Sequence, residues 1–120
     1  MKLILNDSEP IFLQIAKAIE DEIICDEIKE NEQIPSTTEL SKLYKINPAT
    51  ILKGVNLLVE QNILYKRRGI GMFVCEGAKK IIRNSRKDNF KNIYIKELLK
   101  EAKKLGIDKN ELIEIISKSM

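Results

Sequence analysis

At 120 residues the chain is long enough for one compact core and a small appendage, which excludes a large multidomain enzyme. It is 43% hydrophobic, only 5% aromatic and 32% charged, with a formal net charge of +3 and neither histidine nor tryptophan. Without histidine the usual neutral-pH general base, the Ser-His and Cys-His nucleophile pairs and the commonest nitrogen ligand for metals are absent, so no catalytic centre, metal site or cofactor is expected.

The first element is an amphipathic helix opened by Pro10, with Ile11, Phe12, Ile15, Ala16, Ile19 and Ile23 at spacings of three and four. A connecting loop follows from Asp26 to Ile34, where Asp26 and Asn31 suit turn geometry. Ser36-Thr37-Thr38-Glu39 writes a capping box and starts a short second helix expected to bury Leu40, Leu43 and Tyr44. After the turn at Lys45-Ile46, Asn47-Pro48 supplies an N-cap and a proline at the first helical position of a third helix, which runs to about Gln61. Its buried stripe is Ile51, Val55, Leu58 and Val59; Ala49, Thr50, Lys53, Asn56 and Glu60 lie on its other faces.

The period then changes to that of strands. Residues 63–67 and 72–75 are two short strand candidates joined by Arg68-Gly69-Ile70-Gly71, whose glycines permit a hairpin turn. The stretch from Lys79 to Arg86 is ambiguous, whereas residues 92–105 read as a helix stopped by Gly106. Asp108 with Glu111 caps a last short helix.

Charge is unevenly placed along these elements. Residues 1–30 carry a net −5 and residues 61–90 a net +6, and all four arginines, Arg67, Arg68, Arg83 and Arg86, fall in the basic block. Such a block is either a solvated face or a surface for a polyanion; arginine tilts the balance towards phosphate, because a guanidinium grips it with two bonds. Cys25 and Cys75 match neither a disulfide scaffold nor a metal-ligand spacing, and each ends an apolar stretch, so both are expected to be small buried hydrophobes. The N-terminal segment Met1–Asp7 is apolar for only three residues and nothing is long enough to span a bilayer, which points to a soluble chain in a reducing cytoplasm with no membrane partner.

A short capped helix, a tight turn, a second capped helix and a glycine-tipped basic hairpin form the order of a winged helix-turn-helix. In such a unit the first-turn amides at Ser36 meet a phosphate, the start of the helix at Asn47 meets base edges in the major groove, and Arg67 and Arg68 lie along the backbone or in the minor groove. The predicted fold is therefore mostly α with a small β-hairpin: a winged helix-turn-helix over residues 8–76 and a short α-helical dimerisation tail over residues 77–120.

Four stretches resemble the GntR family of bacterial transcription regulators, and its YtrA-like branch in particular: Pro10-Ile11-Phe12-Leu13-Gln14-Ile15, Ile34-Pro35-Ser36, Ile46-Asn47-Pro48-Ala49-Thr50-Ile51 and Arg68-Gly69-Ile70-Gly71-Met72-Phe73-Val74. The resemblance covers about half of the chain in the family's order. It implies phosphate contacts from Ser36 and Thr37, contacts at the start of the recognition helix from Asn47 and Thr50, and a wing tip at Arg68 and Gly69. Thr38 stands where most members carry arginine, Leu52 where many carry a basic or polar residue, and Asp26 and Asn31 replace two loop glycines.

The candidate DNA-binding residues are thus Ser36, Thr37, Thr38, Asn47, Ala49, Thr50, Lys53, Arg67, Arg68 and Gly69. For Lys53 a solvated helix position is an equal alternative, and capping alone explains Asn47. In the tail, Ile95, Leu98, Leu99, Ala102, Leu105, Leu112, Ile115 and Ile116 form an apolar stripe that either packs back on the first domain or pairs with a second copy; pairing is favoured because the first domain has its own core. The expected activity is that of a homodimeric regulator, a repressor by resemblance, on double-stranded operator DNA, with a small-molecule effector possible but unidentified. The competing reading is a winged-helix adaptor for protein partners. An enzyme is the weakest reading, since the Gly69 to Gly71 GxG alone is no nucleotide motif.

Overall fold

The computed structural model describes residues 4–120, so the first three positions of the apolar N-terminal segment lie outside the described residues. The chain divides into two compact units, Met1–Arg83 and Asn84–Met120.

In the first unit, helix α1 (Ile11–Ile24) starts on Pro10 and buries Ile15, Ala16, Ile19 and Ile23. Helix α2 (Thr37–Tyr44) carries the full capping box: Glu39 N–H donates to Ser36 Oγ at 3.0 Å and Ser36 N–H donates to the Glu39 carboxylate at 3.3 Å. Lys45, at φ 55°, ends α2 in the left-handed region. Helix α3 (Pro48–Glu60) begins with Ala49 N–H donating to Asn47 Oδ1 at 2.8 Å and buries Ile51, Gly54, Val55 and Leu58. One expectation for α2 fails. Leu40 is buried and Tyr44 half-buried, but Leu43 is 68% exposed. Leu40 and Tyr44 are one turn apart on the inner face, and so short a helix turns the neighbouring Leu43 outward.

Strands β1 (Leu64–Arg67) and β2 (Gly71–Val74) pair antiparallel, with Leu64 opposite Val74 and Arg67 opposite Gly71. Ile70 N–H donates to the Arg67 carbonyl at 2.9 Å, and Gly69 supplies the positive φ that this tight turn requires at its third residue. The loop after α1 runs along the other edge of β2: Ile34 N–H donates to Met72 O, Val74 N–H to Glu32 O and Asn31 N–H to Val74 O. Asp26 and Asn31 take the expected left-handed conformation, at φ 61° and 69°. Ile15, Ile19 and Ile23 meet Leu40, Ile51, Val55, Leu58, Ile63, Leu64 and Val74 in one core, to which Ala78 and Ile82 of α4 (Ala78–Asn89) also belong.

The ambiguous stretch Lys79–Arg86 is therefore helical. It leads into a π-helical segment, Phe90–Ile95, and then α5 (Lys96–Lys104). Residues 92–95 of the helix read over 92–105 are therefore π-helical and α5 starts only at Lys96, because a π turn inserts an extra residue and rotates the face. Gly106, at φ 70°, ends α5, and Asp108 accepts a hydrogen bond from Glu111 N–H to start α6 (Lys109–Ser119). Cys25 corrects a second expectation: it lies at the exposed C-terminal cap of α1, while Cys75 is half-buried. Burial pushes the Cys75 thiol pKa up.

Candidate nucleic-acid interface

Three exposed features carry the candidate residues of the first unit. At the head of α2, Ser36 and Thr38 are exposed and Thr37 half-buried. The capping box engages the amides of Ser36 and Glu39, leaving those of Thr37 and Thr38 as the first-turn donors that a helix start presents without intrahelical acceptors. These donors and the positive end of the helix dipole favour an anion. At the head of α3, Asn47 and Ala49 are exposed and Thr50 half-buried, with the Asn47 carbonyl accepting from Thr50 N–H at 3.0 Å.

Lys53 stands apart from this group. Its ammonium lies 4.2 Å from the centre of the Phe12 ring, a cation–π contact that draws it from α3 towards α1. The same surface is an open groove of about 440 Å³ lined by Phe12, Ala49, Leu52, Lys53, Asn56, Leu57 and Glu60.

The third feature is the wing. Arg67 stacks its guanidinium over the Phe73 ring at 5.0 Å, and the Tyr65 ring stacks on the same Phe73 ring at a centroid distance of 5.7 Å. Arg68, Gly69 and Ile70 are exposed at the tip. Gln33, absent from the sequence-based site, fixes this tip: its side-chain amide donates to the Ile70 carbonyl at 3.1 Å. Gly71 holds φ at 148°, which favours glycine there, and a Cβ at this position would lie 2.5 Å from that amide nitrogen and displace the Gln33 side chain.

The basic block is partly spoken for within the protein. Lys79 Nζ contacts both carboxylate oxygens of Asp26, at 2.6 and 2.7 Å, and the hydrogen bond from Lys79 holds the Asp26 carboxyl below its ordinary pKa. Glu30 accepts from the amides of Gly77 and Lys79 and so caps the start of α4. Neither role was readable locally, because the partners are 47 to 53 positions apart.

In the second unit, Leu98, Leu99, Leu105, Ile115 and Ile116 are exposed, as are Phe90, Ile93, Tyr94 and Ile113. Ile95 and Leu112 are half-buried, and Ala102 is already buried within the chain, so its small side chain offers little outward surface. Among the described residues no His, Cys, Asp or Glu cluster could hold a metal ion, and no helix is long and apolar enough to cross a membrane.

This geometry has close counterparts. The profile of the bacterial regulatory proteins of the gntR family matches residues 12–74. The chain is 33% identical to the uncharacterized HTH-type transcriptional regulator YhcF of Bacillus subtilis, over 91% of this chain and 88% of that one. It is 27% identical to the HTH-type transcriptional repressor YtrA of the same organism, over 92% and 85%. A GntR family transcriptional regulator from Listeria monocytogenes superposes with a TM-score of 0.76 at 32% identity, covering 95% of this chain and 98% of that one.

Proposed function

The chain belongs to the GntR family of bacterial regulatory proteins and is a DNA-binding transcription regulator, and from that premise we propose that it acts as a homodimeric repressor on a near-palindromic operator. The observation that carries the reading is the shared exposure of the two capped helix starts and the arginine-bearing wing on one folded unit. Thr37 and Thr38 hold a phosphate with their amides and Ser36 fixes the turn that presents them. Asn47, Ala49 and Thr50 enter the major groove at the head of α3, and Arg67, Arg68 and Gly69 follow the backbone beside it. Lys53 reaches a phosphate only by leaving the Phe12 ring. Repression is supported by the likeness to YtrA.

Dimerisation rests on the second unit. Its exposed leucines and isoleucines are the apolar side chains that a second copy would cover. Two copies would set their recognition helices about 34 Å apart, one turn of duplex. The second unit also has an open depression of about 510 Å³ beside Asn84, Lys87, Phe90 and Ile95, in the size range of sites for a small effector.

The test is binding to the promoter DNA of the protein's own gene, titrated against salt. Log affinity falls with log salt at about 0.9 per phosphate contacted, and Arg67→Ala with Arg68→Ala lowers that slope by about 1.8 for every duplex. Thr50→Ala mainly narrows the gap between operator and random duplex. Equal affinity for promoter and random DNA refutes the operator reading. Sedimentation of the Leu98→Glu, Leu99→Glu double variant, expected to be monomeric against a dimeric parent, checks the interface.

A further inference from the structure

Near its start the outward face of α3 presents two apolar side chains where a base-reading helix is expected to carry hydrogen-bonding groups. Ala49 is exposed, Leu52 is 43% exposed, and the two stand three residues apart along one groove. More than half of the Leu52 side chain is covered within the protein, and the remainder faces solvent in this groove. The one cation on this part of the helix, Lys53, is drawn aside to the Phe12 ring 4.2 Å away and leaves Leu52 uncovered.

The groove also has a direction. Its near end is the capped start of α3, where the dipole is positive, and its far end is Glu60 at the negative end of the helix. The occupant is taken to be the major groove of duplex DNA, on the family's DNA-binding role and the exposed, capped start of α3; Glu60 repels phosphates from the far end and so confines the contact to Ala49 and Leu52.

We propose that Leu52, together with Ala49, reads the 5-methyl groups of thymines in the operator. Thymine is the base that presents an apolar group in the major groove, and apolar side chains recognise it by contact. Three residues of helix rise about 4.5 Å, somewhat more than one base step of about 3.4 Å, so the two side chains meet methyls on neighbouring base pairs. The inference rests on the operator-binding reading above and adds what that operator must contain.

The experiment selects duplexes from a random-sequence library with the full-length protein, then replaces each thymine of the selected site by uracil, which removes only the methyl group. One or two positions per half-site are expected to lose about fourfold in affinity each, the worth of one buried methyl-sized group. Leu52→Ala, at a half-exposed position where the fold is expected to persist, should bind the selected site more weakly and become indifferent to uracil there; the unfolding midpoint of the variant checks that it is folded. A selected site that tolerates uracil throughout, or uracil sensitivity that persists unchanged in Leu52→Ala, overturns the proposal while leaving operator binding intact. A library that yields no enriched sequence overturns both.

Discussion

Gly54 sits where α3 crosses α1, and replacing it by alanine tests whether that crossing sets the geometry of the first unit. An added Cβ would lie 2.7 Å from the Phe12 carbonyl oxygen and 3.2 and 3.3 Å from Ile15 Cγ2 and Cβ. A carbon–oxygen contact normally lies at about 3.3–3.6 Å, so the helices must separate by roughly 0.6 Å. The obstacle at Phe12 is main chain, and no change of rotamer relieves it. A gap of that size forfeits about a quarter of the dispersion energy of the contacts it opens, among Ile15, Ile19, Ile51 and Val55. Overpacking costs about 1–3 kcal/mol, and the better helix propensity of alanine returns about 0.8–1 kcal/mol. At the middle of each range the net expectation is a loss of about 1 kcal/mol, or roughly 4–8 °C in Tm for a unit of this size. Thermal unfolding followed by far-ultraviolet circular dichroism measures it, with Asn56→Ala on the exposed side of α3 as the control for propensity alone. A Gly54→Ala protein as stable as its parent, or more stable, would show that the crossing is loose and the reasoning wrong.

Three further outcomes are expected. Ser36→Ala removes a capping interaction seen at both bonds and should cost about 1 kcal/mol in urea unfolding; a change under about 0.3 kcal/mol would mean that the box contributes nothing. Cys75, with its thiol pKa raised by burial, should be alkylated more slowly than exposed Cys25 in the native protein at pH 8, as peptide mass mapping over time will show; equal rates would contradict the burial. The Asp26 carboxyl has a lowered pKa in the fold, so the unfolded chain binds its proton first as pH falls; the stabilisation from the Lys79 pair is complete above the ordinary carboxylate value of 3.8 and disappears as pH drops through the lowered one. The Tm difference between the parent and Asp26→Asn should therefore be present at neutral pH and vanish in acid, and a difference independent of pH would exclude the pair as its source.

What could be read from the sequence is what is decided locally. The capping residues Ser36, Asn47 and Asp108 act on amides two or three positions away, and Gly69, Gly106, Asp26 and Asn31 answer to their own backbone angles, so each was placed correctly without knowledge of the fold. Features that depend on a distant partner were invisible. Gly54 reads as an ordinary helix residue until α1 lies across it; Gln33 gains its role from Ile70, 37 positions later; and Lys53 is drawn aside by Phe12. Leu43 was misplaced because, on a helix of eight residues, the apolar pattern is too short to tell one edge of the buried face from the other. Cys25 was misplaced because its apolar neighbours belong to the last turn of α1, which Cys25 itself terminates.

The Gln33 tie to the wing has a consequence for entropy. A two-stranded ribbon is marginally stable by itself, and ordering a loose loop costs about 1–2 kcal/mol per residue when a partner fixes it. Here the third edge formed by residues 31–34 and the bond from Gln33 to the Ile70 carbonyl settle that cost when the chain folds. Two residues beyond Ile34 stands Ser36, so the tip of the hairpin and the head of α2 are joined by a short, hydrogen-bonded path. In the proposed complex they would meet a duplex as one pre-shaped surface, and the free energy of their contacts would go into affinity instead of into ordering the protein.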